Sequence, residues 1–227
     1  MTCCQKFISS FNVWFRGQDA ASEEHHSRNT HVVGNWALDN LDFKKVTTKE
    51  KYIDYYDYNG NKVKNLIESK NANDKLDGLL YTVLGSGDFD KSDKLIFQLA
   101  DSDILILKQN AILCIGHLVR IHKQIDLERY IPIIESVLLS QNESLVDNAE
   151  SALNDIWTFY DKEKIKQIKS DTCVSRYFNV LQISERFESE ENYDKGLRTI
   201  KELEKAELNP SVQRIQRTCI EYLNNFQ

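Results

Sequence analysis

Proline and glycine are scarce in this chain of 227 residues, at two and eight respectively. They are the residues that most often break regular backbone, so a mainly helical chain is expected. No apolar run approaches the roughly 18–20 residues that a membrane-spanning helix needs, which argues against a membrane partner. The opening M-T-C-C-Q-K-F-I-S-S has a short apolar stretch after Lys6 but no small-x-small cleavage site, so it does not read as a signal peptide. Five cysteines (3, 4, 114, 173, 219) form no C-x-x-C pair. An odd, scattered set suggests reduced thiols and a cytoplasmic protein, with Cys114 as a small core residue and Cys3 and Cys4 lacking an acylation context. Also missing are G-x-S-x-G, G-x-x-x-x-G-K-S/T and G-x-G-x-x-G, the patterns of a nucleophile elbow, a phosphate loop and a dinucleotide fold. No cofactor and no catalytic residue is expected.

What is present is a repeat. Residues 101–118 run D-S-D-I-L-I-L-K-Q-N-A-I-L-C-I-G-H-L, and residues 145–156 run L-V-D-N-A-E-S-A-L-N-D-I. With Ala111 on Ala149, residues Cys114, Ile115 and Leu118 fall on Ala152, Leu153 and Ile156, a constant offset of 38. A period of that size marks a helical unit that cannot bury its apolar face alone and must stack on neighbours. Gly116 removes a side chain in mid-helix, which permits another helix to approach closely.

Charge is unevenly placed. Residues 1–73 hold ten Lys+Arg against nine Asp+Glu, residues 74–160 seven against fourteen, and residues 161–227 twelve against twelve. The acidic excess therefore belongs to the segment with the repeat, where it repels nucleic acid and attracts a basic protein.

Three regions follow. Residues 1–72 read as an N-terminal region with a small β element, because V-V-G-N-W-A-L is β-rich and Asn59-Gly60 sits between alternating runs as a hairpin turn would. Residues 73–160 carry helices expected at 74–84, 89–100, 104–122, 127–140 and 144–160, with Pro132 bending the fourth. Residues 161–227 add helices near 164–188, 191–206 and 211–226. Asp57, Asn59, Asn61 and Glu68 superficially match a calcium loop, but Lys62 stands where its glycine is required. His117 and His122 are five apart and cannot share a metal. No metal site is expected.

One constellation stands out as a candidate site. Glu143, Asp147, Glu150 and Asn154 follow at steps of four, three and four and share one helix face. Leu145, Ala149, Ala152, Ile156 and Phe159 occupy the other. The acidic face reads as a solvated stripe or as a docking stripe for a basic partner, with Asp155, Trp157 and Tyr160 beside it as anchors.

The order L-K-x-x-A-x-x-C-I-G-x-L at 107–118 resembles the second helix of a HEAT-type repeat. The second copy departs from it, with Val146 for the basic residue and Asn154 for the glycine. The wider stretch 76–160, from L-L-Y-T-V-L to A-E-S-A-L-N-D-I-W, resembles small HEAT-like immunity proteins of bacterial polymorphic-toxin and contact-dependent growth inhibition systems. The resemblance implies a HEAT-like α-solenoid of stacked helical hairpins. It also implies a non-enzymatic cytoplasmic protein that binds and neutralises a cognate toxin domain, a basic one such as a nuclease given the charge. Rival expectations are a general helical scaffold or adaptor and, among enzymes with HEAT-like repeats, a bilin lyase or a DNA glycosylase.

Overall fold

The computed structural model describes residues 54–123, 125–168 and 171–225. Among these there are ten α-helices and no strand. They are α1 (Gly60–Glu68), α2 (Ala72–Leu80), α3 (Phe89–Ala100), α4 (Leu105–His122) and α5 (Leu127–Leu138), then α6 (Glu143–Phe159), α7 (Lys162–Ile165), α8 (Cys173–Ser189), α9 (Tyr193–Glu204) and α10 (Pro210–Asn224). Their boundaries are written in the turns. Asn59, Asn71, Asp88, Asn142, Asp161, Thr172 and Asn209 each accept a backbone N–H of the helix they precede. Such caps satisfy donors that the helix itself leaves open and are worth about 1 kcal/mol each.

Two sequence expectations are corrected. The hairpin at Asn59-Gly60 is instead the start of α1. The Asn59 Oδ1 accepts from the Lys62 backbone N–H at 3.1 Å, which turns the chain into a helix. Val63 is buried, and Leu66 and Ile67 lie three and four residues beyond it, a helical and not an alternating spacing. Residues 54–58 before α1 form turns and irregular structure and no strand, and the rest of the expected β element falls at residues outside those described. The single helix expected from 164 to 188 is two, α7 and α8, because Thr172 caps a fresh start at Cys173.

The described residues from Tyr55 onward belong to one compact unit. Helix α2 packs on α1 and α4, and α4 packs on α3 and, most extensively, on α6. Helices α8, α9 and α10 pack mutually, and α5 joins α6 to α8. The α2 helix ends in a single π turn at Tyr81–Gly85. There the Thr82 hydroxyl donates to the Gly78 carbonyl at 2.7 Å and the Ser86 hydroxyl to the Thr82 carbonyl at 2.6 Å. Side chains that bond back into the ladder in this way favour such local widening.

The core follows the 38-residue offset. Ala111, Cys114, Ile115 and Leu118 on α4 and Ala149, Ala152, Leu153 and Ile156 on α6 are all fully buried. Burial pushes the Cys114 thiol up to about 12, so it behaves as a small apolar side chain. Each fully buried Leu or Ile contributes about 1.5–3 kcal/mol. Gly116 is what lets the helices meet. A Cβ at this position would stand 2.9 Å from Asp155 Cβ and 3.0 Å from the Ala152 Cα.

That contact gives a stability prediction. Alanine is favoured over glycine in a helix by about 1 kcal/mol, but overpacking costs about 1–3 kcal/mol, and here the obstacle is backbone. Gly116→Ala is expected to lose about 1 kcal/mol net, read as a lower urea midpoint with unchanged slope. Gly60→Ala, whose Cβ would meet only Tyr58 ring atoms at 3.8 Å, is expected to hold or raise the midpoint. A raised midpoint for Gly116→Ala would contradict the tight crossing.

Candidate protein-binding surface

The acidic row on α6 does not stand free. Helix α6 carries Glu143 in its first turn, exposed, and Asp147 one turn on, with 63% of its side chain exposed. Asp147 Oδ1 and Glu150 Oε1 both lie 3.3 Å from the Arg214 guanidinium of α10. The Arg214–Glu150 contact is an ion pair without hydrogen-bond geometry. Glu150 keeps 16% of its side chain exposed, and burial pushes its carboxyl up while the facing Ser211 hydroxyl and Arg214 pull it back. Asn154 Oδ1 accepts from the buried Tyr177 hydroxyl of α8 at 3.1 Å. Asp147, Glu150 and Asn154 thus form a polar seam between α6 and the C-terminal helices.

The expected anchors are also structural. Asp155 is half-buried over Gly116, with Oδ2 3.7 Å from His117 Nδ1. Trp157 and Tyr160 are buried. The Trp157 Nε1–H donates to Glu185 Oε1 at 3.0 Å, its ring stacks on Phe178, and the Lys162 ammonium covers it at 3.0 Å from the centroid. The Tyr160 hydroxyl donates to the Ile125 carbonyl at 2.7 Å. The expectation of an exposed face with aromatic anchors beside it is therefore corrected: of the seven residues, Glu143 and Asp147 are exposed. The reason is that α8 and α10 cover this side of α6, which local helix spacing could not reveal.

A different surface gathers exposed apolar side chains. The α3–α4, α5–α6 and α9–α10 turns share one edge. Gln109 Nε2 donates to Ser144 Oγ at 2.6 Å, joining the start of α4 to that of α6. Asn209 Nδ2 donates to the Leu138 carbonyl at 3.0 Å, joining the α9–α10 turn to the end of α5. Six of the eight large hydrophobic side chains exposed among the described residues lie here: Ile104, Leu105, Ile106, Leu139, Leu203 and Leu208, the last 90% exposed. Asp101, Asp103 and Glu143 are exposed in or beside the same turns. The sequence reading took these turns only as the breaks between expected helices. The missed clue was an apolar residue within or bordering each turn, in D-S-D-I-L-I, L-L-S-Q-N-E and E-L-N-P.

Glu207 pins the α9–α10 turn. Its carboxylate accepts the N–H groups of Leu208 at 3.0 Å and Asn209 at 2.8 Å, and the Arg176 Nε–H at 2.9 Å. Glu135 plays a related part on α5, accepting the N–H groups of Cys173 and Val174 at the start of α8. A carboxylate at a helix start meets both open donors and the positive end of the dipole. Among the described residues no group of histidine, cysteine and acidic side chains is placed to hold a metal ion. No protein family matches the chain, and no curated protein and no solved structure matches it.

The Glu207 contacts fix a pH response. Burial alone would raise its carboxyl, but the Asn209 N–H, Arg176 and the Leu208 N–H outweigh burial and hold it below the ordinary range. A carboxyl lowered in the folded state stabilises above its unfolded pKa and loses that contribution as pH falls through the folded value. Glu207→Gln is expected to cost about 1.5–3 kcal/mol at neutral pH, the worth of hydrogen bonds to a charged group. Urea unfolding at a series of pH values should show the gap to wild type closing on acidification. A gap independent of pH would mean that the charge of Glu207 contributes nothing.

Proposed function

We propose that this chain is a non-enzymatic protein-binding module, a HEAT-like solenoid in which α1–α6 are successive helix pairs. In this reading it acts in the cytoplasm as an immunity protein that binds a basic toxin domain and occludes its active site. The observation that carries the proposal is the repeated unit itself. Two copies of one buried pattern, 38 residues apart, fall on α4 and α6, the helices in most extensive contact. Stacks of that kind present long surfaces suited to macromolecules. The local acidic excess supports a basic partner, since complementary charge speeds encounter and rejects wrong partners. The resemblance of residues 76–160 to HEAT-like immunity proteins supplies the toxin as that partner. Most of the affinity would come from a few buried apolar contacts and not from charge.

The test is native pull-down of the full chain from its own cells, with identification of what is retained. A basic protein encoded beside it is expected, and the purified partner should lose its toxic activity on equimolar addition of the chain. Association should slow as salt rises, because exposed charges act on the on-rate. A stable complex that leaves the partner's activity intact, or the absence of any stable partner, would overturn the proposal.

A further inference from the structure

The geometry points to the edge formed by the α3–α4, α5–α6 and α9–α10 turns as the docking surface for a basic protein segment that carries a large apolar anchor. This inference rests on the proposed function and names the site within it.

Three observations carry it. The first is concentration: six of the eight large hydrophobic side chains exposed among the described residues stand beside these linked turns, where folded monomers more often place polar residues unless something covers them. The second is charge. Neither residues 101–107 nor residues 139–150 contain a lysine or arginine, yet they hold Asp101, Asp103, Glu143, Asp147 and Glu150. Of these, Asp101, Asp103 and Glu143 are exposed and take part in no ion pair among the described residues. Bases nearby are already engaged: Arg214 by Asp147 and Glu150, Lys205 by Glu202 at 2.6 Å, and Arg217 by Glu204 at 3.4 Å. Among the described residues, Lys108, half-buried at the start of α4, and Lys201, exposed on α9, are the exceptions, against three exposed acids in the two base-free turns. A cationic occupant is therefore selected over an anionic one.

The third observation is a place for the anchor. The edge runs into a groove of about 380 Å³ between α8, α9 and α10, walled mainly by Val180, Leu203, Ala206, Leu208 and Val212, with the Arg176–Glu207 ion pair and Asn179 at its border. Gln216 lines it too, 1% exposed and with Oε1 making no hydrogen bond among the described residues. An unmet buried acceptor is costly, and a partner that brings a donor relieves that cost. A tryptophan meets both demands, filling an apolar slot while offering one ring N–H. Aromatic side chains of this kind dominate binding energy when seated in a pocket and surrounded by drier contacts.

The probe is a synthetic amphipathic helix of lysine and leucine with one tryptophan, set against a glutamate–leucine peptide of the same length and a lysine–leucine peptide with phenylalanine in place of tryptophan. Binding to the full chain is read by fluorescence anisotropy of a labelled peptide, and the footprint by hydrogen exchange. The lysine peptide is expected to bind, with protection confined to residues 101–106, 139–143 and 203–216. The glutamate peptide should bind at least tenfold more weakly, and the phenylalanine peptide several-fold more weakly. Joint change of Asp101→Lys, Asp103→Lys and Glu143→Lys should weaken the lysine peptide by roughly tenfold, as should Leu139→Ser with Leu208→Ser. Unchanged circular dichroism confirms that each variant folds.

Equal binding of the two charge types, a footprint elsewhere, or no binding overturns the proposal. So does dimerisation of the chain that is abolished by Leu139→Ser with Leu208→Ser, which would assign the edge to a second copy. Binding to phosphatidylcholine vesicles without binding to the lysine peptide would assign it to lipid and overturn the proposal equally. A captured basic partner whose footprint avoids these turns sinks the site and leaves the proposed function standing. Edge binding by the peptide with no toxin partner in cells does the reverse.

Discussion

The rest of the structure depends on how closely α4 and α6 approach one another. Gly116 opposite Ala152 leaves no room for a side chain, so the two helices meet almost backbone to backbone. Close contact aligns two copies of one apolar pattern, and the four matched positions on each helix are excluded from water. Dispersion falls steeply with separation, so even a small gap at the crossing would be felt by every residue beneath it. The crossing also sets what lies on either side. Asp155 is held over Gly116 next to His117, and Asn154, one residue back, is turned towards Tyr177 of α8.

From that crossing two polar structures follow, with opposite uses. One is the seam in which Asp147, Glu150 and Asn154 of α6 meet Arg214 and Tyr177, fastening the C-terminal helices to the repeat. The other is the set of carboxylates at helix starts, Glu135 before α8 and Glu207 before α10, which fix how the later helices enter the stack. Both consume acidic side chains that a count of charge would assign to solvent. Among the described residues, the row of turns is where exposed acids and most of the exposed aliphatic side chains stand together. That division gives the proposed binding function a defined place in the fold.

Much of this was legible in the chain. The scarcity of proline and glycine indicated the helical class, and most helix starts fall within a residue or two of those expected, Gly60 and Cys173 excepted. Gly116 was readable because a glycine in a strongly apolar helix has few other purposes. Asn59-Gly60 misled because the same pair suits a hairpin turn and a helix start, and only the spacing of Val63, Leu66 and Ile67 separates them. The acidic row misled for a different reason. Steps of four, three and four place residues on one helix face, but nothing local says whether another helix covers it. Arg214 lies 67 residues from Asp147, a distance at which sequence pattern carries no pairing information. Trp157 and Tyr160 failed likewise, since an aromatic side chain near a helix end suits a core as well as an interface.

The central claim is that the α6 acids belong to the fold, and the direct test needs no partner. It is the unfolding free energy of the chain with Asp147→Lys and Glu150→Lys together. If the row is an internal seam, the lysine at position 150 is placed half-buried against Arg214, and stability should fall by about 1–3 kcal/mol, less than for a fully buried pair because Arg214 is half exposed. If the row is a solvated face, the change should stay within about 0.5 kcal/mol. The account predicts the first result, and the second would contradict it.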